Sequence, residues 1–191
     1  MNDYKTIGSL FSGYGGLDLA VEKLTGAKTI WFCEWDEAPS KILEKNFPNI
    51  PNYKDVTKID WTQIPKVDIL TGGFPCQDLS LAGKRAGLKD GTRSGLWAEM
   101  ANAIEQIRPR KVVIENVRGL LSATANNGVE YSTEAMATLN GKPALRAMGA
   151  VLGDLSDLRY SAKWVGVQAA EAGAPHARFR VFIVATDTSG H

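Results

Sequence analysis

The chain has 191 residues, of which 44% are hydrophobic and 23% are charged, and its formal net charge is +1. This composition is that of an ordinary globular protein with one buried core, and no stretch approaches the roughly 20 apolar residues that a transmembrane helix needs. The near-neutral charge does not by itself indicate nucleic acid as a partner, so such a partner has to be inferred from local residues.

Short apolar runs rich in β-forming residues alternate with stretches of helical periodicity. This pattern predicts an α/β fold, with a mostly parallel sheet covered by helices on both faces. The predicted strands are Thr6 to Phe11, Lys28 to Glu34, Val67 to Thr71, Lys111 to Glu115, Tyr160 to Val167 and Arg180 to Ala185. The predicted helices are Leu17 to Leu24, Ala38 to Asn46, Ser94 to Ile107 and Pro143 to Leu158. Two segments rich in glycine and polar residues, Asp78 to Gly95 and Ser122 to Gly141, predict loops.

The first strand runs into a glycine loop, Ser12-Gly13-Tyr14-Gly15-Gly16-Leu17-Asp18, which opens a helix. Such a loop lets the backbone approach a nucleotide closely. In the dinucleotide fingerprint the third small residue would fall on Asp18, where we expect a carboxylate to repel a pyrophosphate. A cofactor that carries a sulfonium and an ammonium group but no phosphate tolerates this acid.

Three side chains near the loop fit the adenosine part of a cofactor. Glu34 ends the second predicted strand about 20 residues beyond the loop, where an acid accepts from ribose hydroxyls. Phe11 and Trp35 could stack on the adenine ring, and Asp55 could accept from its amino group. The alternative is a plain turn with a core phenylalanine and a solvated Glu34.

A second glycine-containing loop, Thr71-Gly72-Gly73-Phe74-Pro75-Cys76-Gln77, follows the third predicted strand. It places a thiol at the carboxyl edge of the sheet, where α/β folds bind ligands. An isolated cysteine is more often a small buried hydrophobic residue than a nucleophile. The other cysteine, Cys33, is too far along the chain to form a paired metal or redox motif with Cys76, so no metal site is predicted.

Five blocks of the sequence, in one order, resemble the cytosine carbon-5 DNA methyltransferase family. They are Phe11 to Gly16, Gly73 to Gln77, Gly91 to Trp97, Glu115 to Val117 and Gly173 to Val181. The last block resembles the family's Pro-Gln-x-Arg-x-Arg motif, but His176 stands where the family usually has glutamine. We expect His176 to pack in its loop rather than to act as a base.

The resemblance implies an S-adenosylmethionine-dependent methyltransferase sheet, Rossmann-like and mostly parallel with an antiparallel C-terminal strand, in one catalytic domain over residues 1–191. The residues that it implies for binding S-adenosylmethionine are Phe11, Gly13, Gly15, Leu17, Glu34, Trp35, Asp55, Val56, Pro75 and Leu96. Those that it implies around the target base are Cys76, Glu115, Arg178 and Arg180. The polar N-terminus, Met1 to Lys5, lacks the pattern of a signal peptide. We therefore expect a cytoplasmic protein of bacterial or phage origin, with no membrane partner.

The chemistry of cytosine explains why these residue types are needed. Carbon 5 is a poor nucleophile until a thiolate, assigned to Cys76, adds to carbon 6. An acid at ring N3, assigned to Glu115, stabilises the adduct, and an arginine can hold O2. The base that later removes the carbon-5 proton stays open between water and a side chain. The cytosine has to be flipped out of duplex DNA to reach the thiol.

The loop Leu79 to Gly95 is the expected lid over the DNA. Lys84, Arg85 and Arg93 could neutralise phosphates as it closes, although a solvated basic loop is the more frequent explanation on charge alone.

The family normally continues beyond the last block with a target-recognition region and a final segment of the cofactor domain. We expect a truncated chain, one half of a split enzyme completed by a second polypeptide, or a natural minimal form. The competing functions are a non-catalytic module that binds cofactor or partner, and methylation of cytosine in RNA. A nucleotide-dependent oxidoreductase is disfavoured by Asp18.

Overall fold

The computed structural model of the chain describes residues 3–74, 95–121, 124–125, 136–139 and 142–190. The strands are β1 (Thr6–Leu10), β2 (Lys28–Cys33), β3 (Ile69–Gly72), β4 (Lys111–Val117), β5 (Thr124–Ala125), β6 (Met136–Leu139), β7 (Lys142–Arg146), β8 (Tyr160–Gln168) and β9 (Phe179–Asp187). The helices are α1 (Gly16–Thr25), α2 (Glu37–Asn46), α3 (Leu96–Ile107) and α4 (Ala147–Asp157). None of the helices in these ranges is long and apolar enough to cross a membrane.

Six strands form the main sheet, in the order β2-β1-β3-β4-β9-β8. The neighbours from β2 to β4 pair in parallel, and β9 runs antiparallel to both β4 and β8. This confirms the predicted α/β class, the mostly parallel sheet and the antiparallel C-terminal strand. Because β1, β3 and β4 are parallel neighbours, their carboxyl ends lie side by side at one edge of the sheet.

Helices cover both faces of the sheet, as predicted. Successive strand residues point to opposite faces, so Ile7 and Ile69 pack with Val21 of α1. Leu10 and Leu70 belong to the larger core on the other face. That core also contains Met100 and Ile104 from α3 and Val151 and Leu155 from α4. All four residues of β3 are buried, as expected for a central parallel strand.

A close approach between β1 and β2 requires a glycine at position 8. A Cβ atom placed on Gly8 would lie 2.0 Å from Cζ2 of Trp31, whose side chain is fully buried. The indole N–H of Trp31 donates to the carbonyl of Pro65 at 3.0 Å, which fixes the ring over the glycine. The strand therefore accepts the large Trp31 ring only because residue 8 has no side chain.

The prediction of the last helix was wrong at its beginning. The residues Lys142–Arg146 form strand β7, which pairs with β5 and β6 in a separate sheet of three strands, and the helix begins only at Ala147. Leu145 lies three residues before Met148, so helical spacing placed both on one helix, but strand pairing overrides that spacing. The predicted loop Ser122 to Gly141 also contains strands, because β5 and β6 fall within it. The other described ends coincide with the prediction or differ from it by at most two residues.

Candidate active site

A cleft of about 420 Å³ opens at the carboxyl ends of β1, β3 and β4. Its wall is formed by the glycine loop, the ends of β3 and β4, and the segment before β9. Five residues predicted for the site line it together, namely Phe11, Gly13, Leu17, Glu115 and Arg178. The structure thus brings residues that the sequence assigned to the cofactor beside residues that it assigned to the target base.

The glycine loop is a tight turn with several left-handed residues. Gly13 has a φ of 54° and Gly15, which caps the N-terminus of α1, has a φ of 81°. Phe11 is also left-handed, with a φ of 51°, which is uncommon for a residue with a side chain. Its N–H donates to the carbonyl of Cys33 at 2.8 Å, so the end of β2 holds this strained residue. A Cβ atom on Gly13 would meet nothing within 4 Å, which leaves its backbone open to a ligand.

Glu34 is fixed against the glycine loop by its carboxylate. Oε2 accepts from the N–H of Gly13 and Oε1 accepts from the N–H of Asp36, both at 2.8 Å. The Glu34 backbone N–H donates in turn to Oδ1 of Asn52 at 2.9 Å. Each carboxylate oxygen keeps further acceptor capacity. The residue can therefore accept from hydroxyl groups of a ligand while it braces the loop.

Trp35 and Asp55 are connected through Lys58. The Trp35 side chain is 70% exposed, and Nζ of Lys58 lies 5.6 Å from the centroid of its ring. The same Nζ is 3.1 Å from Oδ2 of Asp55, whose Oδ1 accepts from the hydroxyl and the N–H of Thr57. These hydrogen bonds, the Thr57 hydroxyl first, lower the pKa of Asp55. An exposed aromatic face beside a charged carboxylate is a suitable surface for a purine ring.

Val56 and Leu96 have a different environment. Val56 is buried in the main core, and Leu96 packs against that core from the first turn of α3. Contact of either residue with a cofactor stays a prediction.

Glu115 faces Arg180 across two antiparallel strands. Nε of Arg180 lies 2.5 Å from Oε1 of Glu115, and both side chains are partly buried. The Nε–H is not aligned for a hydrogen bond, so the contact is an ion pair rather than a directed bond. Nη1 of Arg180 donates to the carbonyl of Phe179 at 2.8 Å. A Cβ atom on Gly73 would lie 3.3 Å from Oε2 of Glu115, so the glycine leaves room for this carboxylate.

Asn116 lies next to Glu115 and had no predicted role. It is 2% exposed, and its Nδ2 donates to the carbonyl of Phe74 at 2.9 Å, while its Oδ1 accepts from the N–H of Val117. Phe74 also packs on Trp97, with the ring centroids 5.1 Å apart. Asn116 therefore fixes the backbone just beyond β3. The sequence signal that could have indicated this role is a polar amide on the face of β4 that is otherwise formed by the apolar Val112 and Ile114.

Five predicted site residues lie outside the described residues. They are Pro75, Cys76, Lys84, Arg85 and Arg93. His176, which was expected to pack in its loop, is exposed instead, as is Arg178 in the same segment.

The expected repulsion of a pyrophosphate by Asp18 is not supported by the geometry. Asp18 is only 2% exposed, and its oxygens are occupied by the hydroxyls of Ser9 and Thr71 rather than directed toward the helix N-terminus. Burial raises its pKa, which further weakens the argument from a negative charge. The preference for a cofactor without phosphate therefore depends on other evidence.

Comparison with known proteins identifies the family of the chain. A family model described as C-5 cytosine-specific DNA methylase matches residues 5–191. The chain belongs to this family. The type II methyltransferase M1.ScrFI of Lactococcus lactis subsp. cremoris is 35% identical over 184 residues, which are 96% of this chain and 42% of that protein. M.HpaII of Haemophilus parainfluenzae is 46% identical over 114 residues, which are 58% of this chain and 31% of that protein.

Solved structures show the same fold. A DNMT2 mutant from Spodoptera frugiperda superposes with a TM-score of 0.69 at 17% sequence identity, covering 97% of this chain and 51% of that one. The chain thus spans less than half of the length of M1.ScrFI and about half of this structural neighbour. Because these relatives are about twice as long, their activity is proposed for the present chain in the next section.

Proposed function

We propose that this chain is the catalytic part of an enzyme that transfers a methyl group to carbon 5 of cytosine in DNA. The observation that carries the proposal is the cleft that places the glycine loop, braced by Glu34, beside Glu115 and Arg178. Family membership supports the same reaction. Methyl transfer requires the methyl donor and the target base to lie side by side. The glycine loop predicted to bind the donor and the residues predicted to hold the base line the same cleft.

S-adenosylmethionine fits the residues around the glycine loop. The Glu34 carboxylate has acceptor capacity for two hydroxyls, Trp35 offers an exposed ring, and the backbone at Gly13 is open. When bound, S-adenosylmethionine would supply an electrophilic methyl group. Phe11 and Leu17 would form the apolar wall on its adenosine side, and we place Gly15, Asp55, Val56, Pro75 and Leu96 around it by family resemblance.

The protein residues divide the reaction on cytosine into two steps. The sulfur of Cys76 adds to carbon 6, and the electron pair displaced from the 5,6 double bond raises the nucleophilicity of carbon 5. Glu115 donates to N3, where negative charge develops, and Arg178 holds the ring through O2. The ion pair with Arg180 orients Glu115, which takes the proton for N3 from solvent when the base binds. After methylation the carbon-5 proton leaves, the carbon–sulfur bond breaks, and the aromatic ring is restored.

The DNA would present its cytosine as a flipped base, with Lys84, Arg85 and Arg93 on its phosphates. A second polypeptide that supplies target recognition stays a prediction.

Trapping with DNA that contains 5-fluorocytosine tests the function. Fluorine cannot leave carbon 5 as a cation, so the bond between Cys76 and carbon 6 should persist and give a complex that survives denaturation. This complex should form only when S-adenosylmethionine is present. Cys76→Ala should give none, whereas the control Cys33→Ala should give as much as wild type, because the Cys33 thiol is buried and donates to the carbonyl of Lys54.

Three results would contradict the proposal. An adduct formed equally by Cys76→Ala would refute the assigned nucleophile. Trapping on RNA but not on DNA of the same sequence would refute the substrate. If wild type binds S-adenosylmethionine tightly but methylates neither DNA nor RNA, the chain would be a non-catalytic module.

Removal of the Glu34 carboxylate should weaken cofactor binding. Glu34→Ala loses charge-assisted hydrogen bonds to the ligand and to the glycine loop, each worth about 1.5–3 kcal/mol. We expect the dissociation constant for S-adenosylmethionine to rise about 10- to 100-fold in isothermal titration calorimetry. Glu37→Gln is the control, since its exposed carboxylate pairs with Lys41 on the surface of α2. Equal affinity in the Glu34→Ala variant and wild type would place the cofactor elsewhere.

A further inference from the structure

Asp18 joins three elements at the floor of the cleft. It lies in the first turn of α1, and its Oδ2 is 3.0 Å from the hydroxyl of Ser9 on β1. Its Oδ1 is 2.5 Å from the hydroxyl of Thr71 on β3. Asp18 is also one of the residues that line the cleft beside the glycine loop. The reaction proposed above gives Asp18 no role, although a buried acid in a ligand cleft is costly to keep charged.

The protons of this cluster can be counted. The Thr71 hydroxyl also lies 3.2 Å from the carbonyl of Gly8, which can only accept, and a hydroxyl has a single proton to donate. If Thr71 donates to Gly8, the short contact with Asp18 requires the acid to carry the proton and to donate it to Thr71. Ser9 then donates to the remaining oxygen of Asp18. In this arrangement every polar group of the cluster has a partner.

The charged surroundings favour the same arrangement. In the described part of the chain, no lysine or arginine forms an ion pair with Asp18. Glu22, one turn further along α1, carries a like charge and is itself paired with Lys28. The cleft contributes Glu115 and the exposed Arg178, but no contact between either side chain and Asp18 appears among the hydrogen bonds and ion pairs of the described residues. Burial accordingly raises the pKa of Asp18 above its ordinary value of 3.8.

We propose that Asp18 is a positioning residue for the cofactor loop, which, as a neutral carboxylic acid, donates to Thr71 and accepts from Ser9. It ties the first turn of α1, and with it the glycine loop, to the ends of β1 and β3. The choice of S-adenosylmethionine as the ligand of that loop rests on the proposed function. The neutral state of Asp18 and its hydrogen bonds to Ser9 and Thr71 do not rest on the proposed function. They can therefore be tested without any ligand.

The first test compares the unfolding of wild type and Asp18→Asn from about pH 4.5 to about pH 8. A group whose pKa is higher in the folded state stabilises fully below its unfolded pKa and loses that contribution as the pH rises. The unfolding free energy of wild type, minus that of Asp18→Asn, should therefore fall with rising pH. Asparagine does not titrate and can make the same two hydrogen bonds. A difference that stays flat or rises over this range would mean that the pKa of Asp18 is not raised in the folded state, and would overturn the proposal.

Infrared spectroscopy gives an independent readout of the same state. The carbonyl stretch of a protonated carboxylic acid should be present in wild type at neutral pH and absent from Asp18→Asn. Its absence from wild type would overturn the assignment.

The second test measures S-adenosylmethionine binding at neutral pH. Asp18→Asn should bind within about threefold of wild type, and Asp18→Ala about 10-fold more weakly, because two buried hydrogen bonds are lost. Thr71→Val, similar in shape but without the hydroxyl, should weaken binding in the same direction. Loss of affinity in Asp18→Asn equal to that in Asp18→Ala would refute positioning by a neutral acid. If wild type binds no S-adenosylmethionine, the proposed function fails, and the pH and infrared tests still decide the state of Asp18.

Discussion

Replacement of Glu115 by glutamine is expected to slow methyl transfer to DNA by about 10²- to 10³-fold, within the range that a positioned general acid contributes. Glutamine keeps the size of the side chain and can still lie beside Arg180, so the cleft should stay intact. What it loses is a proton of suitable acidity at ring N3. Single-turnover transfer of a labelled methyl group measures the loss, because that rate is independent of product release.

The matched measurements separate chemistry from binding. Affinity of the Glu115→Gln variant for S-adenosylmethionine should stay within about threefold of wild type, since the Glu34 and Gly13 contacts are unchanged. Glu37→Gln, on the exposed surface of α2, should transfer methyl groups at the wild-type rate. A Glu115→Gln variant that retains full activity, while Cys76→Ala loses it, would refute the role of Glu115.

The location of the site could be predicted from the sequence because it follows from strand order. Apolar runs such as Lys111 to Glu115 identify parallel strands, and the carboxyl ends of neighbouring parallel strands meet at one edge. Glycines at positions 13 and 15 and an acid at position 115 are separated by about a hundred residues, yet this rule brings them to the same edge. Gly13 and Glu115 line one cleft at that edge, while their roles stay predictions.

The contacts within the site could not be predicted, because they depend on register and on side-chain direction. The ion pair of Glu115 with Arg180 needs the antiparallel register in which Val117 lies opposite Arg180. The same holds for Asn116, whose amide reaches the carbonyl of Phe74 just beyond the end of β3. Asp18 shows the limit most clearly, since the sequence places an acid beside the glycine loop but does not tell whether it faces the ligand or the sheet.

The effect of Gly8→Ala on stability should be the largest among glycine substitutions in the main sheet for which contacts are described. The added methyl group would lie 2.0 Å from Cζ2 and 2.4 Å from Cε2 and Cη2 of Trp31. The indole ring is rigid and fully buried, so it has to move as a unit. Movement would break its hydrogen bond to Pro65 and disturb its packing on Tyr53 and Trp61. We expect a loss of about 3 kcal/mol, from overpacking and one lost hydrogen bond.

Urea unfolding of Gly8→Ala beside Gly16→Ala measures this effect. Gly16 is the suitable control because it begins α1, has an ordinary φ, and has no atom within 4 Å of the position of an added Cβ. Alanine there should leave stability unchanged or raise it by up to about 1 kcal/mol, as alanine favours a helix. Combining Gly8→Ala with Trp31→Leu should cost less than the sum of the two single changes, since the smaller side chain makes room for the methyl group. Strict additivity would mean that the clash with Trp31 is not the cause, and the close approach of β1 to β2 would then need another explanation.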